Sequence, residues 1–246
     1  MLAVSQAIGL LGLLLWVLAS GDAFPGLVEL LPAAGAGIAG LVGLGALYRG
    51  LAIGAMGIVA PISAASPIVP LAVDAAQGDV PEALQWLGIA LVLTGIAVLS
   101  KEPSGASERR FAAGAGLAVL AAVSFGLFVV GLDAGADESA TWAVVAARAA
   151  SVSVAVVAAL VLATSLRPPR SVLPLLVGVG VFDTAANVFV ATATTHGAAG
   201  IVAVLSALYP VVTVVLAWLV LGEKLSATKR TGGVVALAGA ALVAAG

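Results

Sequence analysis

Long apolar segments alternate with short polar turns along the whole chain. A helix of about 20 residues, rising about 1.5 Å per residue, crosses a hydrocarbon layer of about 30 Å, and the apolar segments have this length. The short turns between them leave no room for a soluble domain. The pattern predicts nine membrane-spanning helices, near residues 1–19, 30–49, 54–73, 81–99, 111–131, 141–164, 171–193, 198–220 and 228–245.

Composition agrees with this reading. Of the 246 residues, 62% are hydrophobic and 9% are charged, whereas soluble domains carry about 25% charged residues. The first apolar segment lacks the preceding basic residues of a secretory signal, so we interpret it as a retained helix. The sequence therefore predicts an all-α, polytopic transmembrane helix bundle.

Several classes of function lack the residues that they require. The chain has no cysteine and one histidine, which excludes thiol chemistry and multi-histidine metal sites. It has no phosphate-binding G-x-x-x-x-G-K-[ST] motif and no basic stripe with interleaved aromatic residues. We therefore predict no metal, no cofactor, no nucleic-acid partner and no enzymatic activity.

The chain contains two copies of one unit. When it is shifted by 143 positions, so that Gly54 falls on Gly197, similar residues coincide over two helices and their start signals. One further residue of shift brings the glycines of the following helix into register. The coincident pairs include Gly57-Ile58-Val59-Ala60 with Gly200-Ile201-Val202-Ala203, Ser63 with Ser206, Pro67 with Pro210, Gly88 with Gly232, and Gly95 with Gly239.

The repeat predicts two domains, 1–100 and 111–246. The helix at 111–131 opens the second copy, and its counterpart would precede Met1, so the first copy lacks its opening helix. Either this sequence starts late or the native protein has nine spans, and we favour the late start. A complete unit of five helices, an odd number, places the two copies in opposite orientations, as inverted repeats of secondary transporters are placed.

Charge separates the predicted loops into two sides. Because Lys and Arg favour cytoplasmic loops, we expect the basic side to be cytoplasmic and the protein to be a multi-pass protein of the cell membrane. The basic side holds Arg49, Lys101, Arg109, Arg110, Arg167, Arg170, Lys224, Lys229 and Arg230. The acidic side holds Asp22, Glu29, Asp74, Asp79, Glu82, Asp133, Asp137 and Glu138.

The end of each copy resembles a known family. The second copy closes with SALYPVVTVVLAWLVLGEKLSATKRTGGVVALAGAALVA, and the first with GIVAPISAASPIVPLAV followed by LQWLGIALVLTGIAVL. A proline-containing helix, a Gly-Glu turn and a glycine-rich last helix resemble the closing helices of an EamA domain, from the drug/metabolite transporter superfamily. The resemblance implies ten helices in two inverted halves, a central cavity and transport of small metabolites by alternating access. It also implies two cytoplasmic termini, which differs from our charge-based orientation.

Two charged residues are predicted to lie deep in the membrane. Arg148 lies about 10 Å from the acidic side and Asp183 about 18 Å from the basic side, on consecutive antiparallel helices. We therefore expect them to face each other or to share one cavity. Asp183 would carry a proton or bind a cationic group while Arg148 tunes it or holds a carboxylate; the alternative is a structural ion pair. Asn187 lies on the same helix face as Asp183.

Further candidates surround the prolines. Ser206, Tyr209 and Thr213 share a face of the helix that contains Pro210, and Ser63 and Ser66 occupy the matching region of the first copy. Proline frees a backbone carbonyl, which a watered cavity or a neighbouring side chain would satisfy. We expect these five residues to line the path. Four further residues are less specific candidates. Gln6 either forms a hydrogen bond to another helix or lines the path, and Thr184 and Thr194 are expected to form hydrogen bonds to carbonyls of their own helix. His196 is expected to be solvated or bonded to a carbonyl at a helix end.

The function that these features favour is secondary transport. A small organic metabolite or drug would be exported or exchanged by alternating access, with a proton as a candidate coupling ion. The alternative is a polytopic scaffold or partner subunit that transports nothing.

Overall fold

The structure, a computed structural model, describes residues 2–54, 56–99, 108–163, 168–221 and 226–246, and these form helices and turns without a β-strand. The predicted all-α polytopic class is thus confirmed. The helices are α1 (Leu2–Ser20), α2 (Leu31–Ile53), α3 (Met56–Ser63), α4 (Ile68–Gln77), α5 (Ala83–Leu99), α6 (Glu108–Asp133), α7 (Ala140–Val161), α8 (Leu173–Thr194), α9 (Ala199–Ser206), α10 (Tyr209–Leu221) and α11 (Ala227–Ala245), with a 3₁₀ turn at Arg170–Val172 before α8.

Most of the predicted spans meet the length and hydropathy that a membrane crossing requires. Within the described ranges, seven segments do so, and α5 is apolar but shorter. The last predicted span, α11, is not among the seven; it carries Lys229 and Arg230 in its first turn. Large apolar side chains such as Leu15, Phe182 and Phe189 are exposed, as a lipid-facing surface requires.

Two of the predicted spans are each divided into two helices. The span predicted at 54–73 divides into α3 and α4, and the span at 198–220 divides into α9 and α10. Pro67 and Pro210 lie at the two breaks and have no amide hydrogen to continue the helix. Around the first break the amide of Ser66 bonds the carbonyl of Ser63, three residues back, and the amide of Val69 bonds that of Ser66. Each of these two spans thus consists of two helical pieces, and both keep the length and hydropathy of a membrane crossing. The breaks fall at matching positions of the two sequence copies.

The chain forms two compact units, each made of two stretches. Unit 1 contains Met1–Leu41 and Leu127–Gly197; unit 2 contains Val42–Gly126 and Ala198–Gly246. The core of unit 1 consists of small and branched side chains from α1, α2, α6, α7 and α8, among them Val17, Ala33, Leu132 and Val144. Small side chains let helix backbones approach closely, which is the main source of helix association in lipid.

The packing of unit 2 is dominated by contact between α5 and α11. A Cβ atom added to Gly88 would lie 2.7 Å from the carbonyl oxygen of Gly239, and one added to Gly95 would lie 2.7 Å from that of Gly232. The helices are therefore antiparallel and in backbone contact at both crossings. The sequence repeat matches Gly88 with Gly232 and Gly95 with Gly239, so each glycine packs on the partner of the other. This is the register that a local twofold axis across the helix pair would produce.

Candidate functional site

Arg148 and Asp183 form an ion pair in unit 1. Arg148 lies on α7 and Asp183 on α8, and the guanidinium Nη2 donates to Oδ2 of the carboxylate at 2.5 Å. The contact expected from their equal depth is present. Asn187, one turn further along α8, is half-buried.

The two partners differ in exposure. The Arg148 side chain is 6% exposed, whereas that of Asp183 is 52% exposed. A buried guanidinium requires an anionic or strongly accepting partner, because desolvation of an unpaired charge is costly. The pair is thus closed around the arginine and open on the side of the carboxylate. A ligand or a proton can approach Asp183 without first unpacking the helices around Arg148.

Polar contacts continue from the ion pair toward α1. The hydroxyl of Ser151, three residues after Arg148, donates to Oε1 of Gln6 at 2.8 Å and lies 3.1 Å from the carbonyl oxygen of Arg148. Gln6 is buried, so of the two roles open to it the structure shows the bond across helices. Sequence reasoning missed Ser151, although its spacing from Arg148 places it on the same face of α7.

Thr184 is a buried hydroxyl without a partner. Its Oγ1 has no hydrogen-bond partner in the described part of the chain, and the residue is 4% exposed. The oxygen occupies the space that a Cβ on Gly9 of α1 would take, where α1 and α8 cross. The expectation that Thr184 bonds its own helix was therefore wrong. For Thr194 it is confirmed, because its hydroxyl donates to the carbonyl of Ala191 at 3.0 Å.

Replacing Thr184 with valine should not destabilise the protein. A buried hydroxyl without a partner costs about 1–3 kcal/mol of desolvation, and valine removes the hydroxyl with little change of shape. We expect a gain of up to about 1 kcal/mol, measured as thermal unfolding in detergent micelles. Thr194→Val, which deletes a satisfied hydroxyl, is the matched control and should lower stability. A larger loss in Thr184→Val than in Thr194→Val would contradict this account.

The predicted residues of unit 2 lie around the two helix breaks. Ser206, Tyr209 and Thr213 are exposed, as a lining face requires, and Thr213 Oγ1 donates to the carbonyl of Tyr209 at 2.9 Å. Ser63 is buried and donates to the carbonyl of Ala60 at 3.0 Å, while Ser66 is half-buried. Their role as a lining of the path stays a prediction.

Asp74 is not a loop residue as the sequence suggested. It lies in α4, is buried, and its Oδ2 accepts a hydrogen bond of 2.6 Å from the amide of Gly200. The helix continues to Gln77 and is closed by Gly78, whose φ of 102° is left-handed. The Gly78-Asp79 pair is a C-cap signal that would have extended the predicted helix beyond residue 73 and placed Asp74 inside it.

The ring of His196 contacts neighbouring residues of its own helix end. Its Nδ1 lies 2.9 Å from the hydroxyl of Thr195 and 3.0 Å from the carbonyl oxygen of Thr192, at the end of α8. The histidine is thus carbonyl-bonded at a helix end. Within the described ranges, His, Asp and Glu form no group of three or more that could hold a metal ion. The predicted surface turn at Glu223 and Lys224 and the basic loop residues Lys101 and Arg167 lie outside the described residues.

Comparison with known proteins places the fold and the family. No curated protein matches the sequence. A solved structure, described only as "Crystal structure of protein", superposes with a TM-score of 0.80 at 18% identity, over 98% of this chain and 84% of that chain. This likeness establishes the fold alone. The family described as "EamA-like transporter family" matches residues 112–245, which is more than half of the chain. The chain therefore belongs to the EamA-like transporter family, within the drug/metabolite transporter superfamily.

Proposed function

We propose that this protein is a secondary transporter that exports or exchanges small organic metabolites or drugs by alternating access. The observation that carries the proposal is the ion pair of Arg148 and Asp183, buried at one end and open at the other, in two apolar helices long enough to span a membrane. Ionisable groups at such a depth are costly and mark substrate or proton pathways. Since the sequence has no nucleotide-binding motif, exchange or an ion gradient would drive the transport.

The rocking movement would be made by two inverted repeats, 1–100 and 111–246. The antiparallel register of α5 and α11 supports this organisation, and so does a matched pair of crossings in unit 1. A Cβ added to Gly180 of α8 would overlap the backbone of α1 at Ser5, and one added to Gly37 of α2 would overlap the backbone of α7 at Ala147. The repeat matches α2 with α8 and α1 with α7. The same contact is therefore made twice, once by each copy.

The ion pair offers two chemical routes. In the first, a proton on Asp183 neutralises the carboxylate and weakens its hold on Arg148, which couples protonation to helix movement. In the second, a cationic group of the substrate binds Asp183 while Arg148 holds a carboxylate of the same substrate. In both routes Arg148 keeps an anionic or accepting partner throughout, because its buried guanidinium has no access to bulk water.

The protein would reside in the cell membrane with its basic loops in the cytoplasm. Positive charge on one side of a multi-pass protein sets this orientation. Its partners would be the lipid bilayer, the small-molecule substrate and, in the first route, protons.

Transport by purified protein in proteoliposomes tests the proposal. Uptake and efflux of a metabolite panel are measured with and without a pH gradient, for the wild type, for Asp183→Asn and for Asp79→Asn as an exposed control. We expect movement of at least one solute, a loss of about tenfold or more in Asp183→Asn, and no loss in Asp79→Asn. A folded wild type that moves no member of the panel would favour a scaffold. Full gradient-driven transport by Asp183→Asn would exclude the proton route.

A further inference from the structure

Asp74 connects two helices that belong to different divided spans: α4, the second part of the first span, and α9, the first part of the second span. It lies on α4, and its carboxylate accepts the backbone amide of Gly200 in the first turn of α9, with the Oδ2–N distance at 2.6 Å. The first amides of a helix have no partner within the helix and favour an anionic acceptor. A charge-assisted bond of this kind is among the stronger hydrogen bonds in proteins.

Close packing surrounds this bond. A Cβ added to Gly200 would lie 2.8 Å from both the Leu71 Cα and the Asp74 Oδ2, so only glycine lets α9 approach α4 this closely. Leu71 is buried in the same apolar cluster as Val204 of α9. The end of α4 precedes Asp79 and Glu82, so the bond and its packing lie on the acidic side of the membrane. That side of unit 2 is closed by α4 against α9.

The other copy lacks a carboxylate at the position that matches Asp74. The shift of 143 positions that relates the copies carries α4 onto α10 and α9 onto α3, and it carries Asp74 onto Ala217. An alanine side chain accepts no hydrogen bond. In unit 2, α4 packs against α9. The contact between α4 and α9 therefore holds a carboxylate, and the sequence has no carboxylate at the matching position of the second copy.

We propose that Asp74 is a one-sided latch of the transport cycle. Its bond to Gly200 holds the acidic side shut, and this bond must break before α4 and α9 separate to open that side. The basic side closes without a counterpart of this bond, so the two states differ in stability and the protein rests with its acidic side closed. This inference rests on the alternating access of the proposed function. Asp74 is a positioning residue that acts on α9 and need not touch the substrate.

Distance measurements between two spin labels test the latch. The native chain has no cysteine, so Gln77→Cys on α4 and Ala198→Cys before α9 provide a label pair on the acidic side of unit 2 without background labelling. With Asp74 present, we expect one dominant short distance in liposomes. Asp74→Leu should raise the longer-distance population severalfold. Asp74→Asn, which keeps an oxygen acceptor but loses the charge, should give a smaller increase, and Asp79→Leu, nearby and exposed, should give none.

Each outcome decides the matter. Unchanged distances in folded Asp74→Leu, or in folded Asp74→Asn where the leucine variant does not fold, would overturn the latch. An equal increase of the longer-distance population in Asp79→Leu would also overturn the latch, because the effect would then follow from the loss of any negative charge in this region. The distances are measured without any solute. A shift in distance together with a failure to transport would retain Asp74 as the contact that holds α4 on α9 and would reject the proposed function. Transport with unchanged distances would reject the latch and retain the proposed function.

Discussion

Asp183→Leu should destabilise the protein by about 3–5 kcal/mol, and Arg148→Leu should cost clearly less. The difference follows from the unequal exposure of the pair, 6% for the arginine side chain and 52% for the aspartate side chain. Loss of the aspartate leaves a buried guanidinium without a partner. Loss of the arginine leaves a carboxylate that is already half exposed. Both variants should lose transport, because each removes one charge of the proposed site.

Thermal unfolding in detergent micelles measures the two costs, and the double variant Arg148→Leu/Asp183→Leu completes the cycle. We expect the double variant to be more stable than Asp183→Leu alone, since no unpaired charge remains. The prediction is wrong if Arg148→Leu is the more damaging single change, or if the two single costs simply add in the double variant.

Gly95→Leu should separate α5 from α11 and destabilise unit 2 by about 3 kcal/mol. A Cβ at this position would lie 2.8 Å from the Cα of Ala236 and 2.7 Å from the carbonyl oxygen of Gly232. These are backbone atoms, and they yield only if the helices move apart. Since close backbone approach holds helices together in lipid, the loss extends along the whole crossing.

Gly116→Leu on α6 is the matched control, because a Cβ added there meets nothing within 4 Å. Outside the contact, replacement of a helical glycine should be neutral or stabilising by about 0.5–1 kcal/mol. Thermal unfolding of both variants in detergent gives the comparison. Equal stability of Gly95→Leu and Gly116→Leu would show that the α5–α11 crossing is looser than the structure describes.

The sequence predicts the structure most accurately where one physical constraint dominates. The hydrocarbon layer requires long apolar helices, so the bounds of α1, α2, α7 and α8 follow closely from hydropathy. The pairing of Arg148 with Asp183 follows from depth alone, because isolated charges at that depth are too costly to leave apart. The repeat likewise follows from residue identities, and it indicates where the two breaks are equivalent.

Features that depend on tertiary contacts could not be predicted from the sequence. Hydropathy does not distinguish a continuous helix from α3 and α4, which are both apolar around the proline-rich break. Asp74 looked like a loop residue because only the three-dimensional contact with Gly200 explains how a carboxylate can be buried there. The unsatisfied hydroxyl of Thr184 results from the crossing of α1 and α8 at Gly9, which no local pattern specifies.

Solute counterflow tests the central claim, alternating access through the Arg148–Asp183 site, most directly. Proteoliposomes are loaded with a high concentration of an unlabelled transported solute and diluted into a trace of the labelled solute. A carrier that alternates between two sides should concentrate the label transiently above its equilibrium level, and Asp183→Asn should abolish this overshoot. Simple equilibration without an overshoot, or an overshoot of full size in Asp183→Asn, would contradict the account.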